Sequence, residues 1–176
     1  METSLVELPI TTGDGIFLAE YSGKGLAGLS FPNANGLVLP QRGAGGRSFN
    51  PKQIPLQILR WHRTTTDALK AVLAGRAAKS LPPLDWSGTT EFQQSVWRVM
   101  LKIPAGKTKS YGEVAKAIGN PRAVRAVGSA CGANPIPVLV PCHRILAANN
   151  KIGGFGSGLD WKYDLLAREG IKLSLP

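Results

Sequence analysis

Three short apolar stretches separated by turn-forming residues limit what the first third of this chain can fold into. They lie at 5–10, 16–21 and 26–31, and Thr12-Gly13-Asp14-Gly15 separates the first two. Ser22-Gly23-Lys24-Gly25 separates the second from the third. Gly and Asp tolerate the backbone angles of tight hairpin turns. This spacing therefore predicts a small antiparallel sheet.

After the sheet, the composition first favours a loop and then a helix. Residues 33–53 are rich in Gly, Asn, Pro and Arg, which predicts an irregular connection. Residues 54–73 predict a helix, and Gly75 is suited to ending it.

A proline-rich segment at 77–88 has the composition of a linker. Beyond it the pattern is helical, because Thr90 and Gln93 have the spacing of a capping box. The predicted helix ends at Pro104 and has one apolar face: Phe92, Val96, Val99 and Met100. We therefore predict a domain at 1–80, a linker at 81–89 and a second domain at 90–176.

Two further helices are predicted close together. Ser110 and Glu113 form a second capping box, which starts a short helix that stops at Gly119. Asn120 is predicted to cap another helix, from Pro121 to Cys131. Two short helices joined by Gly-Asn are a candidate helix-turn-helix, although such hairpins also occur in purely structural roles.

The second of these helices has two distinct faces. Val124, Val127 and Cys131 are predicted to face the core. The rest of the surface carries two arginines among small residues: Arg122, Ala123, Arg125, Ala126, Gly128 and Ser129. Small side chains let a helix backbone approach a nucleic-acid groove, and close packing against another helix is the alternative explanation.

The net charge of +10 is concentrated in the second half of the chain. Residues 1–85 have nine Lys/Arg against six Asp/Glu, whereas 86–176 have twelve against five. From Arg98 to Lys151, nine basic residues face one acid, Glu113. This pattern favours a polyanionic partner, and a solvated basic face is the alternative.

Targeting and membrane signals are not apparent. The amino terminus has acidic residues and no apolar core of a signal peptide, and no apolar run approaches bilayer length. Two cysteines do not suggest a disulfide-rich secreted module. We expect no membrane partner and a cytoplasmic location, associated with the nucleoid in a prokaryote.

The most reactive pair of residues follows a stiff segment. Asn134 to Pro141 contains three prolines and leads directly into Cys142 and His143. A nucleophilic cysteine needs thiolate character, which His143 acting through a water, the cation Arg144 and a turn amino end after Pro141 could each provide. The alternative is a buried thiol beside a histidine whose hydrogen bonds are satisfied.

A carboxylate to orient that histidine is available at Glu169. If Gly170 ends the last helix, Glu169 lies at the negative pole, which disfavours a carboxylate. An ion pair with protonated His143 would explain its position and give a Cys-His-Glu arrangement. The alternative is a surface pair with Arg168 or Lys172. The glycine-rich stretch 153–158 predicts a wall whose backbone amides approach a flat ligand.

Four motifs together resemble the O6-alkylguanine-DNA alkyltransferase family, from about Leu84 to Leu173. They are Arg125-Ala126-Val127-Gly128, Asn134-Pro135, Pro141-Cys142-His143-Arg144-Ile145 and Leu165-Leu166-Ala167-Arg168-Glu169-Gly170. The resemblance implies an α/β (α+β) protein. Its small N-terminal domain would be a ribonuclease-H-like antiparallel sheet, and its C-terminal domain mostly helical, winged-helix-like, with a helix-turn-helix.

The same resemblance implies catalytic roles. Cys142 would accept the alkyl group, with His143 activating it through a water and Glu169 orienting that histidine. Tyr111 would donate toward guanine N3 and press on the neighbouring phosphate. Asn134 would tie the second helix to the active-site segment.

It also implies the DNA and base contacts. Arg125 would fill the base stack when the nucleotide flips out, with its helix in the minor groove alongside Arg122, Ala123, Ala126, Gly128 and Ser129. The substrate pocket would consist of Tyr111, Cys142, Ile145, Phe155, Gly156 and Ser157. Phe155 stands where the family often has tyrosine, and Gly156 where a backbone amide donates to O6.

We therefore expect irreversible, stoichiometric repair of double-stranded DNA containing O6-alkylguanine, by a monomer with no cofactor and no metal. A Cys-His-Glu hydrolase and a non-catalytic binder of alkylated DNA are the alternatives. Alkyl-group size, O4-alkylthymine as a substrate, cooperative assembly on DNA and the role of the N-terminal domain stay open. Cys131 is expected to pack in the core.

Overall fold

The computed structural model describes residues 5–32 and 54–173, and their fold is mixed α/β, as the sequence predicts. The predicted connection at 33–53 lies outside the described residues. The chain divides into two compact units. The first comprises 1–70 with 78–87, and the second comprises 71–77 with 88–176.

The sheet of the first unit is the predicted antiparallel one. Its strands are β1 (Val6–Thr12), β2 (Gly15–Tyr21) and β3 (Leu26–Ser30), hydrogen-bonded in that order. The register runs from Val6 opposite Tyr21 to Thr12 opposite Gly15, so the β1–β2 turn is the predicted one. Alternate residues of β2 are buried, as expected when one face of a sheet covers a core.

The helix predicted at 54–73 is α1 (Leu56–Leu73). It buries Ile58, Thr65 and Leu69 on one face. Gly75 ends it with a φ of +70°, and a Cβ there would come within 2.1 Å of the Arg168 carbonyl oxygen. Glycine is therefore required by both the backbone angle and the close approach.

Part of the predicted linker is paired with the sheet. Leu26 donates its backbone N–H to the Pro83 carbonyl at 2.8 Å, and Asp85 donates to the Leu26 carbonyl at 2.8 Å. Residues 78–87 accordingly belong to the first unit. The division into independent domains at 1–80 and 90–176 stays a prediction.

The second unit is mostly helical. Its elements are α2 (Glu91–Leu101), β4 (Lys109–Ser110), α3 (Tyr111–Ala117), α4 (Val124–Gly132), a 3₁₀ helix (Cys142–Arg144), β5 (Ile145–Leu146), a second 3₁₀ turn (Ala148–Asn150) and α5 (Leu159–Arg168). Both predicted capping boxes are present, at Thr90 and at Ser110. Helices α2 and α3 pack against α4, and the buried Trp97 indole donates to the Ala130 carbonyl at 2.8 Å.

The predicted second helix of the pair was wrong at its start. Pro121 is not its first position and Asn120 is not its cap, because α4 begins at Val124 after a turn in which Ala123 donates to the Asn120 carbonyl. Val124 was also assigned to the wrong face, since it is 40% exposed. Ala130, and not Val124, is buried beside Val127 and Cys131.

A short parallel pairing brings distant segments side by side. Lys109 pairs with Ile145 and Ser110 with Leu146 in the β4–β5 ladder. Tyr111 follows β4 directly, and the 3₁₀ helix that begins at Cys142 ends where β5 begins. Within the described ranges, no helix is long and apolar enough to cross a membrane.

Candidate active site

The segment before Cys142 is held in one conformation by Asn134. Its side-chain amide donates to the Val140 carbonyl at 2.8 Å, and its side-chain oxygen accepts from the Ile136 N–H at 3.0 Å. Val138, between them, has a φ of 71°, a left-handed conformation that β-branched residues rarely adopt. These two hydrogen bonds fix the active-site segment itself, and the predicted tie to the helix stays a prediction.

Cys142 lies on the wall of a cavity of about 290 Å³ in the second unit. Its side chain is nearly covered, with the residue 8% exposed. The cavity is lined by Tyr111, Gly128, Cys131, Gly132, Cys142, Gly154, Phe155 and Gly156. The structure therefore brings together residues from α3, α4, the 3₁₀ helix and the glycine-rich loop.

Opposing effects act on the ionisation of Cys142. Burial raises the pKa of its thiol, and this is the largest effect. A hydrogen bond from Asn134, the charge of Lys162 and the backbone N–H groups of Cys142 and His143 lower the pKa. The turn amino end predicted to help the thiolate is present, because the 3₁₀ helix starts at Cys142.

His143 is fully buried and bonded to Glu169 on one side only. Its Nε2 lies 3.1 Å from Glu169 Oε1, whereas its Nδ1 is buried without a hydrogen-bond partner. Burial lowers the pKa of His143 more than Glu169 raises it. The predicted contact between His143 and Glu169 is present, and the lowered pKa favours a neutral ring that donates from Nε2 to Glu169 and keeps a lone pair on Nδ1.

Arg144 is the main partner of Glu169, whose side chain is buried and not at the surface as the alternative assumed. Its guanidinium binds both carboxylate oxygens at 2.7–3.1 Å and donates to the Ile103 carbonyl at 2.6 Å. Gly106 donates its N–H to the same carboxylate at 3.1 Å. Arg144 was expected to assist the thiolate, but these contacts direct it to the carboxylate instead.

This network explains why a carboxylate is stable at the end of α5. Burial alone would raise the pKa of Glu169, yet hydrogen bonds from His143, Arg144 and Gly106 lower it to about 2. Its side chain is only 1% exposed. Local donors thus outweigh the unfavourable helix dipole.

Lys162 is a buried residue near Cys142 that the sequence reasoning missed. It is fully buried on α5, and its Nζ donates to the carbonyls of Ile145 at 2.7 Å and Gly154 at 3.0 Å. Burial lowers its pKa to about 8. A lysine in the pattern of an exposed helix gives no local signal, and only the tertiary fold places it near Cys142.

Tyr111 and the glycine-rich loop are in contact. A Cβ on Gly153 would lie 3.1 Å from the Tyr111 hydroxyl oxygen, and that oxygen also interacts with the backbone of Gly154. Burial raises the pKa of Tyr111, so its hydroxyl stays protonated and able to donate. Phe155 and Gly156 line the cavity as predicted, whereas Ile145 and Ser157 are not among its described lining residues.

The residues predicted to contact DNA lie on the outer side of α4 and the turn before it. Arg122, Arg125, Ala126 and Ser129 are exposed, while Ala123 and Gly128 are half-buried. Gly128 also lines the cavity, so the exposed face and the cavity meet along one helix. Among residues 5–32 and 54–173, no group of three or more His, Cys, Asp or Glu side chains is placed to hold a metal ion.

Comparison with known proteins gives a consistent result. The family model described as the 6-O-methylguanine DNA methyltransferase DNA-binding domain matches residues 91–171. A methylated-DNA–protein-cysteine methyltransferase of Methanosarcina acetivorans is 50% identical over 108 residues, which are 61% of this chain and 69% of that protein. This chain belongs to the methylated-DNA–protein-cysteine methyltransferase family.

Solved structures extend the likeness of this methyltransferase-family chain beyond the second unit. The Mycobacterium tuberculosis protein crystallised in complex with DNA has a TM-score of 0.72 and 37% identity, covering 92% of this chain and 90% of that one. A Mycobacterium tuberculosis methyltransferase sequence is 50% identical over 103 residues, 58% of this chain and 62% of its own length. The mixed fold of the methyltransferase family is therefore shared along most of the chain.

Proposed function

We propose that this protein repairs DNA by transferring the alkyl group of O6-alkylguanine irreversibly to Cys142. The observation that carries the proposal is the unpartnered Nδ1 of His143, on a ring whose other nitrogen is bound to Glu169. A buried neutral imidazole with a free lone pair can accept a proton from the adjacent thiol through one water. Family membership supports the same chemistry.

The first step is activation of the sulfur. The Cys142 thiol passes its proton to His143, and Glu169 stabilises the imidazolium through Nε2. Lys162 and the backbone N–H groups then stabilise the thiolate, since each lowers the pKa of Cys142. Because Arg144 also binds Glu169, the carboxylate stays fixed in position while the charge on His143 changes.

The second step is displacement at the saturated carbon. The thiolate attacks in line with the carbon–O6 bond, and negative charge moves onto the base. Tyr111 donates toward guanine N3 as that charge develops, and the loop at 154–156 supplies a flat wall. The product is a thioether, which neither water nor thiols cleave under ordinary conditions, so each molecule acts once.

The base has to leave the helix for this geometry. Cys142 is 8% exposed and lines a cavity, which a stacked guanine could not enter. The nucleotide is extruded on the minor-groove side, at a cost of a few kcal/mol that is lower for a poorly paired damaged base. Arg125 on the exposed face of α4 fills the gap in the stack, and the small residues beside it let the helix approach the groove.

A stoichiometry assay tests the proposal against a Cys-His-Glu hydrolase. Purified protein is mixed with excess duplex containing O6-methylguanine, and demethylated DNA is counted per protein molecule. We expect transfer to stop at one group per protein, because the thioether is stable. Continued product formation would instead establish a hydrolase.

A second measurement tests the binder alternative. Intact mass after the reaction should increase by one methylene, located on Cys142 by peptide mapping. Cys142→Ala should lose transfer and keep most duplex binding, whereas Cys131→Ala retains the acceptor and serves as the matched cysteine control. Unchanged mass of the wild-type protein with retained binding would favour the non-catalytic binder.

A further inference from the structure

A second cysteine, Cys131, lines the same cavity as Cys142 and has no part in the proposed transfer. It lies on α4 three residues after Gly128, on the same side of the helix, and next to Gly132 in the chain. Neither glycine has a side chain to cover its sulfur, and a Cβ on Gly132 would meet nothing within 4 Å. Cys131 was expected to pack in the core, but it also forms part of the cavity wall.

The two sulfurs are close enough to influence each other electrostatically. Burial and the charge of Cys142 raise the pKa of Cys131 to about 12, whereas Lys162 lowers it. The charges of both cysteines in turn raise the pKa of Lys162. One buried ammonium group therefore acts on two thiols at one cavity.

In the resting protein Cys131 stays a thiol. Its Sγ lies 3.6 Å from the Met100 sulfur, a weak contact, and its raised pKa keeps it protonated. It does not compete with Cys142 for the first alkyl group, because Cys142 has the hydrogen bond from Asn134 and the histidine beside it.

We propose that Cys131 acts as a second nucleophile toward bifunctional alkyl groups, closing a 2-haloethyl group that Cys142 has accepted into an ethylene bridge between the two sulfurs. The proposal rests on the proposed function, since Cys142 must first take the group from O6. It assigns Cys131 a role as a second reacting residue, for alkyl groups that have a leaving group on their far carbon.

Every bond formed in the two steps is matched by a bond that breaks. In the first, a bond forms between the Cys142 sulfur and the near carbon and the carbon–O6 bond breaks; the thiol proton leaves through His143, and the guanine gains a proton. In the second, the Cys131 sulfur bonds to the far carbon, the carbon–chlorine bond breaks, chloride departs and the Cys131 proton passes to solvent.

The first step prepares the second. Thioether formation removes the negative charge on Cys142, while Lys162 remains beside Cys131, so the pKa of Cys131 decreases. The far carbon is now tethered inside a cavity that both cysteine residues line. Tethering raises the effective concentration of a reactant far above that of a free one, so closure competes with attack by water or DNA.

Mass spectrometry of the product tests the proposal. Reduced full-length protein reacts with fresh duplex containing O6-(2-chloroethyl)guanine, followed by intact-mass measurement and peptide mapping. We expect one ethylene in place of two thiol hydrogens, with the Cys131 and Cys142 peptides joined. A chloroethyl or hydroxyethyl group on Cys142 alone, or protein joined to DNA, as the main wild-type product would overturn the proposal.

Cys131→Ala is the informative variant. Without the second thiol, the product should shift to a chloroethyl or hydroxyethyl group on Cys142 or to protein joined to DNA. The readout is the ratio of products among molecules that have accepted a group, so a change in transfer rate does not affect it. The same bridged fraction in this variant would overturn the assignment to Cys131.

Two controls separate failure of this proposal from failure of the proposed function. The first control is reaction with O6-methylguanine duplex. If Cys142 is methylated there but the chloroethyl duplex gives no bridge, only the bridging proposal is overturned. If Cys142 is not methylated, the proposed function is overturned as well. Without DNA, dibromobimane becomes strongly fluorescent when both of its bromides are displaced by neighbouring thiols. We expect this signal in wild-type protein and its loss in Cys131→Ala; a dark wild-type protein would show that the sulfurs cannot be bridged.

Discussion

Glu169 combines structural and chemical roles in one side chain. It is buried, bonded to His143, Arg144 and Gly106, and its pKa is lowered from 4.5 to about 2. A carboxyl whose pKa is lower in the folded state stabilises that state above its unfolded pKa and loses this effect as pH falls toward the folded value. His143, whose pKa is also lowered, adds to the loss of stability below its usual 6.5.

We predict that Glu169→Gln loses about 3 kcal/mol of unfolding free energy at pH 7, from the size of the pKa shift. The difference between the variant and the wild type should shrink between pH 4.5 and 2, because the wild-type carboxylate becomes protonated there. Urea unfolding at several pH values measures both effects.

Asp164→Asn, within α5 and five residues earlier, provides the matched control. The Asp164 carboxylate pairs with Arg168 at 2.7 Å, but the side chain is 46% exposed. We therefore expect Asp164→Asn to lose less than about 1 kcal/mol of unfolding free energy. The prediction would be contradicted if Glu169→Gln lost as little unfolding free energy as Asp164→Asn, or if its loss did not depend on pH.

At the scale of elements, the start of α3 positions Tyr111. Ser110 accepts the Glu113 N–H at 3.2 Å, and the Glu113 side chain returns to the Ser110 N–H at 2.7 Å. We predict that Ser110→Ala lowers the unfolding free energy by about 1 kcal/mol, because it removes the helix cap. It should also slow alkyl transfer, because Tyr111 is the next residue. Thermal unfolding and single-turnover kinetics measure the two effects.

Thr90→Ala is the control for this variant, since it removes the other capping box, at the start of α2. The stability loss should be similar, with transfer largely retained. Equal transfer rates in the two variants would show that the α3 cap does not position Tyr111.

Helix α4 is the other element whose role can be tested separately. Arg125 and Arg122 are both exposed, but only Arg125 lies within the helix. We predict that Arg125→Ala reduces extrusion of the damaged base more than it reduces affinity for undamaged duplex. Extrusion is measured with a fluorescent base analogue. Arg122→Ala should reduce both to a similar degree, and equal behaviour of the two variants would contradict the role of Arg125.

At the scale of the whole molecule, the charge is unevenly distributed along the chain. Of the nine basic residues between 98 and 151, Arg144 is buried against Glu169 and most of the others are exposed. Basic residues that contact phosphates release counterions from DNA, which makes affinity depend on salt. The second unit is therefore expected to dominate the salt dependence.

We predict that Arg122→Ala reduces the slope of log affinity against log salt by about one. Arg63→Ala, an exposed arginine of the first unit, should leave the slope unchanged. Fluorescence anisotropy with undamaged duplex at several salt concentrations measures the slope, and a larger change for Arg63→Ala would place the interface elsewhere.

Local patterns predicted most of the elements but not all of their boundaries. The hairpins and both capping boxes are confirmed, because turn glycines and caps act on neighbouring residues. The start of α4 was wrong because Asn120 and Pro121 have helix-start chemistry but form a turn instead. Burial of Ala130 against Trp97, a long-range contact, fixes the face of that helix.

The sequence by itself determined the antiparallel sheet, the capped helices, the Cys142-His143 pair and the excess of positive charge, because these depend on adjacent residues or on composition. Only the tertiary structure decided that Arg144 binds Glu169, that burial lowers the pKa of His143, that Lys162 is buried near the thiol and that Cys131 shares its cavity. Protonation and pairing in a buried site depend on which groups from distant segments exclude water and supply hydrogen bonds. No local pattern contains that information.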